Sequence, residues 1–340
     1  MRLPRILASL AAAAMFAVLA TPGTADADTT PPATDLASID ASLLYPFETG
    51  LAAQYDATTA VAKLHAYEVC HVPVPPKTSC PPPLPATCGD AANVLNGTTS
   101  ACFDLAAVDR SPHTGSTDWF IPFGSEAVGW SAATGGHAPA NLTSADLRNI
   151  YTCVITQWNQ ITDIPGYTGP STAIKIYVPP AGSSTRASFL SALGIAVTSA
   201  PCWQATTPAE NEGTDPVFAG NPDAIFPYSL SHYVGQVYYG RGGGSDLPGA
   251  LDALRSIDGV NQIDSATKSW NSNVPTAFVR SVYHVVRQAD WADPVEGPRL
   301  KALLSRAVAG GYLCSAFQTG ITSYGFHGIG ASCGVLVAGI

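Results

Sequence analysis

Three hydroxyls and a guanidinium follow one another in Gly182-Ser183-Ser184-Thr185-Arg186, where one kind of periodicity gives way to another. Upstream, Ile174, Ile176 and Val178 alternate with Lys175 and Tyr177 as in a strand, and Pro179 and Pro180 end it because proline has no N–H for a ladder. Downstream, Phe189, Leu190 and Leu193 share one helical face, and Gly194 suits a C-terminal cap. The hydroxyls therefore lie at a helix N-terminus, where unpaired N–H groups and the positive end of the helix dipole face outward. Such a tip holds phosphate, sulfate or a carboxylate by dipoles alone. The same residues equally serve as an ordinary N-cap, with one serine accepting from an N–H of the first turn.

No other constellation offers bond-making chemistry. Gly330-Ala331-Ser332-Cys333-Gly334 matches a nucleophile elbow, but that motif needs a helix after the serine and an acid and a histidine later in the chain. No acid or histidine follows Ser332. His65, His71, His113, His137, His232, His284 and His327 are scattered and form no H-E-x-x-H pattern. Gly240-Arg241-Gly242-Gly243-Gly244 lacks the lysine of a phosphate-cradling loop. No two carboxylates have the spacing of acid–base machinery. Binding without catalysis is the expectation, with no metal and no cofactor.

Eight cysteines, Cys70, Cys80, Cys88, Cys102, Cys153, Cys202, Cys314 and Cys333, contain no C-x-x-C, which points to disulfides rather than zinc. Proximity favours Cys314 with Cys333, and a shared lobe favours Cys153 with Cys202. The other four crowd into residues 70–102, and their connectivity stays open. Arg2 and Arg5 before the apolar run Ile6 to Ala20, then Ala25-Asp26-Ala27, read as a cleavable secretory leader over residues 1–27. Cleavage leaves an exported chain without a lipid-anchoring cysteine and without a membrane-spanning stretch. A net charge of −9 argues against nucleic acid and anionic membranes as partners. Charged residues are only 12% of the chain while 46% is hydrophobic, which fits a secreted, turn-rich globular protein with ample core.

The elements that must position the hydroxyl loop alternate. Residues 38–55 read as a strand, a turn and a helix. Residues 71–91 are a proline-rich loop, Phe103 to Val108 a buried strand, and DWFIPFGSEAVGW another apolar strand. NLTSADLRNIY carries a helix start, with Thr143 and Asp146 spaced as a capping box and Leu142 placed to staple Leu147. NPDAIFPYSLSHYVGQ gives a strand and a helix, VPTAFVRSVYHVV a long strand, PRLKALLSRAVAGG a helix, and GVLVAGI a final buried strand. The alternation specifies an α/β fold.

Taken in order, DWFIPFGSEAVGW, NLTSADLRNIYTCVITQWNQI, IKIYVPPAGSSTRASFLSALG and NEGTDPVFAGNPDAIFPYSLSHYV resemble segments of the PstS-like phosphate-binding proteins of ABC transporters, in particular the secreted, disulfide-containing actinobacterial branch. The resemblance spans most of residues 38–340 and is strongest over 119–233. It implies a type II periplasmic-binding fold: two lobes, one formed by residues 28–118 and 275–340 and the other by 119–274, joined by two crossover segments, with the ligand in the cleft between them. The second crossing then falls near SNVPTAF, with a hinge at Pro275. The implied ligand residues are Ser42, Leu43, Asp109, Gly182, Ser183, Ser184, Thr185 and Arg186. Ser42-Leu43 stands where the family has a Thr-Phe pair, and Ser184 where it has a second loop glycine. Asp109 matches the family's ligand aspartate, whose carboxylate accepts a hydrogen bond from protonated phosphate and repels sulfate; it is equally placed as a strand-end acid capping the turn at Ser111. The family's loop arginine is replaced by Pro179, so Arg186 either takes over the charge or pairs with Asp109. The family's Ser-Ser-Gly donor is absent, with Thr87-Cys88-Gly89 nearest to it.

The implied protein is a monomeric, secreted, non-enzymatic carrier of inorganic phosphate or a related oxyanion, delivering to an ABC permease or scavenging. An extracellular scaffold with a drifted cleft is the alternative from another class, and a secreted hydrolase the third.

Overall fold

The computed structural model describes residues 30–58, 62–69, 71–81, 90–99, 101–306 and 311–339. The leader expected over 1–27, Cys70 and the Thr87-Cys88-Gly89 segment lie outside them.

The first lobe opens with strand β1 (Leu36–Asp40), helix α1 (Tyr45–Asp56), strand β2 (Leu64–Glu68), helix α2 (Ala91–Gly97) and strand β3 (Leu105–Val108). β1 pairs in parallel with β2 and β3. Strand β4 (Asp118–Ala132) then carries the chain into the second lobe. That lobe holds β5 (Asn141–Leu142), α3 (Ser144–Tyr151), β6 (Lys175–Ile176), α4 (Ser184–Ala192), β7 (Ala224–Ser229), α5 (Leu230–Tyr239), and the short strands β8 (Ser256–Ile257), β9 (Ile263–Asp264) and β10 (Ser269–Trp270). Strand β11 (Val279–Arg287) returns to the first lobe. Helices α6 (Gln288–Ala292), α7 (Glu296–Leu304), α8 (Tyr312–Ser315) and α9 (Gln318–Ser323) and strands β12 (His327–Gly328) and β13 (Val337–Ala338) complete it.

One sheet runs through both lobes in the order β2-β1-β3-β11-β4-β7-β6. The change of lobe happens inside β4. Its residues 118–127 pair antiparallel with β11, and residues 128–132 pair with β7. The resemblance put the first crossing at residue 119, the start of this strand; within the strand the pairing partner changes from β11 to β7 at Val128. β11 begins just after Pro275, close to the expected second crossing.

Burial follows strand alternation. On β3, Leu105 and Ala107 pack with Phe47, Leu51 and Leu303 on one face, while Ala106 and Val108 pack with Leu95 and Phe103 on the other. The second lobe is built around Trp130, Trp158, Ile176, Phe189 and Val234. Disulfides Cys80–Cys102, Cys153–Cys202 and Cys314–Cys333 tie loops within the lobes. The C-terminal strand departs from expectation: Val335, Leu336 and Val337 are exposed, since β13 only adds to an edge of β4 and, among the described residues, nothing covers its outer face. No helix among the described residues is long and apolar enough to cross a membrane.

Local capping fixes α3. Thr143 accepts from the Asp146 N–H, and Asp146 accepts from the Thr143 N–H at 2.9 Å, while Leu142 and Leu147 are both fully buried. Thr143→Ala removes one arm of this box and is expected to lower stability by about 1 kcal/mol in urea unfolding.

Side-chain contacts also bridge the lobes. Arg241, just past α5, donates to Ser323 at 2.6 Å and lies 4.4 Å over the Tyr324 ring. Trp270 stacks on His327 at 3.6 Å.

Candidate functional site

The strand before the hydroxyl loop is shorter than its alternation suggests, only Lys175–Ile176, but Ile174, Ile176 and Val178 all enter the second lobe's core as expected. The prolines then turn the chain, the Ser183 N–H bonding back to Pro180. Ser183 caps α4 by accepting from the Arg186 N–H at 3.1 Å. At the other end, Gly194 takes φ +65°, a left-handed conformation that suits glycine, and closes the helix.

The α4 tip faces the space between the lobes. A cavity of about 290 Å³ there is lined by Ser42, Asp109, Gly182, Ser183 and Ser184, all five expected from sequence. It opens beside a larger cleft of about 740 Å³ that shares Ser42, Gly182 and Ser183. Thr185 is fully buried and contributes its N–H at the tip. Two expected residues turn elsewhere. The Leu43 side chain is buried in the first lobe's core. The Arg186 guanidinium bonds to the carbonyls of Pro179 and Thr198 and lies 5.3 Å over the Trp203 ring. As the third residue of α4 it projects back along the helix and clamps the loops behind the tip, so it neither faces the cavity nor pairs with Asp109.

The cation facing Asp109 is Arg280, from the β11 crossing. Its guanidinium lies 2.9 Å from Asp109, contacts Glu126 of β4, and reaches the Ser184 carbonyl at 3.0 Å and the Ser188 hydroxyl. It thus joins the first lobe, both crossing strands and the α4 tip. Burial works against its charge, but Asp109 and Glu126 outweigh that and hold its pKa above the ordinary value. Glu126 is fully buried; burial raises its carboxyl despite Arg280, and Ser229 donates to it at 2.7 Å. Asp109 is 6% exposed, and its inner oxygen has only this ion pair, without a hydrogen bond. Ser184 Oγ and Thr185 Oγ1 are likewise buried without partners.

The second residue that sequence reasoning missed is Glu210. Its carboxylate takes the Ser183 hydroxyl and sits 3.4 Å from the Thr185 N–H, on the α4 tip itself. It stands in a run without periodicity, T-T-P-A-E-N, so nothing local marks it. Arg280 did leave a sign: a charged residue inside an otherwise apolar strand run.

Other readings fare differently. Ser332 of the elbow-like motif lies on an exposed 3-10 turn, and its neighbour Cys333 is disulfide-bonded. Among the described residues no cluster of three or more His, Cys, Asp or Glu could hold a metal.

Residues 88–253 match the family model of the PBP superfamily domain. No curated protein matches the chain. Among solved structures, an ABC-type phosphate transport receptor from Vibrio cholerae superimposes with TM-score 0.56 at 16% identity, covering 86% of this chain and 99% of that one. A phosphate ABC transporter substrate-binding protein with bound phosphate from Clostridium perfringens gives TM-score 0.55 at 14% identity, covering 87% and 100%. The chain therefore shares the mixed α/β fold of these solved type II binding proteins, and the PBP superfamily domain is similar to its residues 88–253.

Proposed function

We propose that this protein captures a small protonated oxyanion, inorganic phosphate first, in the interlobe cleft, and releases it unchanged. The observation that carries the reading is convergence. The α4 tip, the Arg280 guanidinium and the Asp109 carboxylate, supplied by different lobes and a crossing strand, line one cavity of about 290 Å³. A cation and helix dipoles attract an anion. A carboxylate tolerates that anion only if the anion brings a proton to share. Phosphate does so at neutral pH and sulfate does not. Phosphate is also the ligand named for the similar solved structures. Export by the leader, free release as a monomer and delivery to an ABC permease complete the proposal; the three disulfides among the described residues fit an oxidising compartment.

Titration calorimetry of the mature protein with phosphate and with sulfate tests it. Phosphate is expected to bind and sulfate to give no heat. Asp109→Asn is expected to weaken phosphate by about 10- to 100-fold, the worth of a hydrogen bond to a charged group, and to narrow its margin over sulfate. If the wild type takes sulfate as well as phosphate, or if neither it nor variants lacking the Glu210 carboxylate take phosphate, the reading fails.

A second reading, an extracellular scaffold with a drifted cleft, has one observation in its favour: the Glu210 carboxylate already occupies the α4 tip. Silence toward every oxyanion, in wild type and in variants lacking that carboxylate, is the outcome that selects it.

A further inference from the structure

A carboxylate on a helix tip is itself a bound anion, and this one belongs to the chain. Glu210 takes the Ser183 hydroxyl and sits at the Thr185 N–H, the same donors an oxyanion needs. Phosphate and ionised Glu210 cannot share them: both are negative, and Asp109 and Glu126 already exceed the single positive charge of Arg280. We propose that Glu210 is a built-in competitor for the oxyanion, so that each capture takes up one proton from solvent. This rests on the reading of the cleft as an oxyanion site and adds what controls its affinity.

The chemistry is that of one side chain in two roles. Ionised, Glu210 accepts from the tip and holds the seat. Neutral, its carboxyl no longer competes for the dipoles, and its O–H becomes a donor to the incoming oxyanion. Burial already lifts its pKa above the ordinary value; the Ser183 hydrogen bond opposes this, Asp109 reinforces it and Arg280 opposes it. An anion arriving beside it raises the pKa further. The other charged and titratable groups around Glu210 are the Asp90–Arg110 pair on the smaller cavity, and Tyr45, Glu68, His71, Glu212 and the His232–Asp246 pair on the larger cleft. Four of these eight are carboxylic acids and one is a guanidinium. The sign follows from linkage. The bound state holds one more proton than the free state, so affinity falls by up to tenfold per pH unit as pH rises above the free-state pKa of Glu210. Phosphate's own titration is superimposed on this and is the same for every variant.

Calorimetry with inorganic phosphate between pH 5.5 and 8.5, repeated in two buffers of different ionisation heat, counts the protons. Wild type is expected to take up one more proton per phosphate than Glu210→Gln or Glu210→Ala, and both variants are expected to bind at least tenfold tighter at pH 8. Binding seen only in the variants also supports the competitor. Equal affinity and equal proton uptake in wild type and variants overturns the competitor while leaving phosphate capture standing. No phosphate binding by any of the three at any pH overturns both.

Discussion

Arg280→Met is expected to abolish oxyanion binding and to lower stability by about 3–5 kcal/mol at pH 7, the cost of leaving a buried charge without its partner. The two effects share one cause. Arg280 is the cation facing Asp109 in the cavity, and it is also the counter-charge of fully buried Glu126. Without it Asp109 and Glu126 face the oxyanion uncompensated, and their repulsion is expected to outweigh the α4 dipoles and the Asp90-paired Arg110. Glu126 then stands in the strand that joins the lobes with only the Ser229 hydroxyl as partner. The pH dependence follows. Burial holds the Glu126 carboxyl above its ordinary value even with Arg280 present, and losing Arg280 raises it further. The folded variant then binds a proton more readily than the unfolded chain, so its stability falls as pH rises above the ordinary carboxylate range. Urea unfolding is expected to show a larger deficit at pH 8 than at pH 5. The double variant Arg280→Met, Glu126→Gln is expected to regain most of the stability and none of the binding, which separates the structural role from ligand recognition. Unimpaired phosphate binding in Arg280→Met would remove this residue from the site.

The fold was legible because its signals are local. Alternation over DWFIPFGSEAVGW marked β4, the Thr143–Asp146 spacing marked the start of α3, and Gly194 marked the end of α4. What alternation cannot show is which partner a strand takes. β4 reads as one uniform run, yet its partner changes from β11 to β7 at Val128, so the lobe boundary sits inside it. The exposed C-terminal strand escaped for a related reason, since hydrophobicity alone does not say whether another layer will cover an edge. The site divides the same way. Gly182 to Thr185 reached the cleft because an N-cap motif fixes its own geometry. Arg280 comes to that tip from 96 residues away, and Glu126 to Arg280 across 154. Charge pairing over such separations has no periodicity to betray it. Arg186 failed for a geometric reason: the third residue of a helix turns its side chain off the tip, and here the nearby loops offer it two carbonyls and an indole face.

Far from the cleft linings, Lys77→Met is expected to lower stability by about 3–5 kcal/mol at pH 8 and to leave phosphate affinity unchanged. Lys77 is 2% exposed, and its ammonium lies 2.6 Å from the carboxylate of Asp104, which is fully buried. The other Asp104 oxygen accepts from the Ala37 N–H at 2.7 Å, and the Asp104 N–H donates to the Ala37 carbonyl. One ion pair thus ties the proline-rich loop to the head of β3 and to β1, at the base of the first lobe's sheet. Burial pushes the Asp104 carboxyl up to about 7, with Lys77 pulling the other way. Because the folded value lies above the unfolded value near 4, the folded state holds this proton more tightly. Stability is therefore greatest below about pH 4 with respect to this group, and declines as pH rises through 7. Lys77→Met removes the opposing pull, so the deficit is expected to shrink at pH 5, where Asp104 is neutral, and to be largest at pH 8. Adding Asp104→Asn keeps the side-chain oxygen for Ala37, removes the stranded charge, and is expected to restore most of the loss. A Lys77→Met protein within 1 kcal/mol of wild type at pH 8 would mean that water reaches Asp104. The loop would then be held by its Cys80–Cys102 disulfide, its apolar packing and hydrogen bonds such as that from the Ser79 hydroxyl to the Ala101 carbonyl.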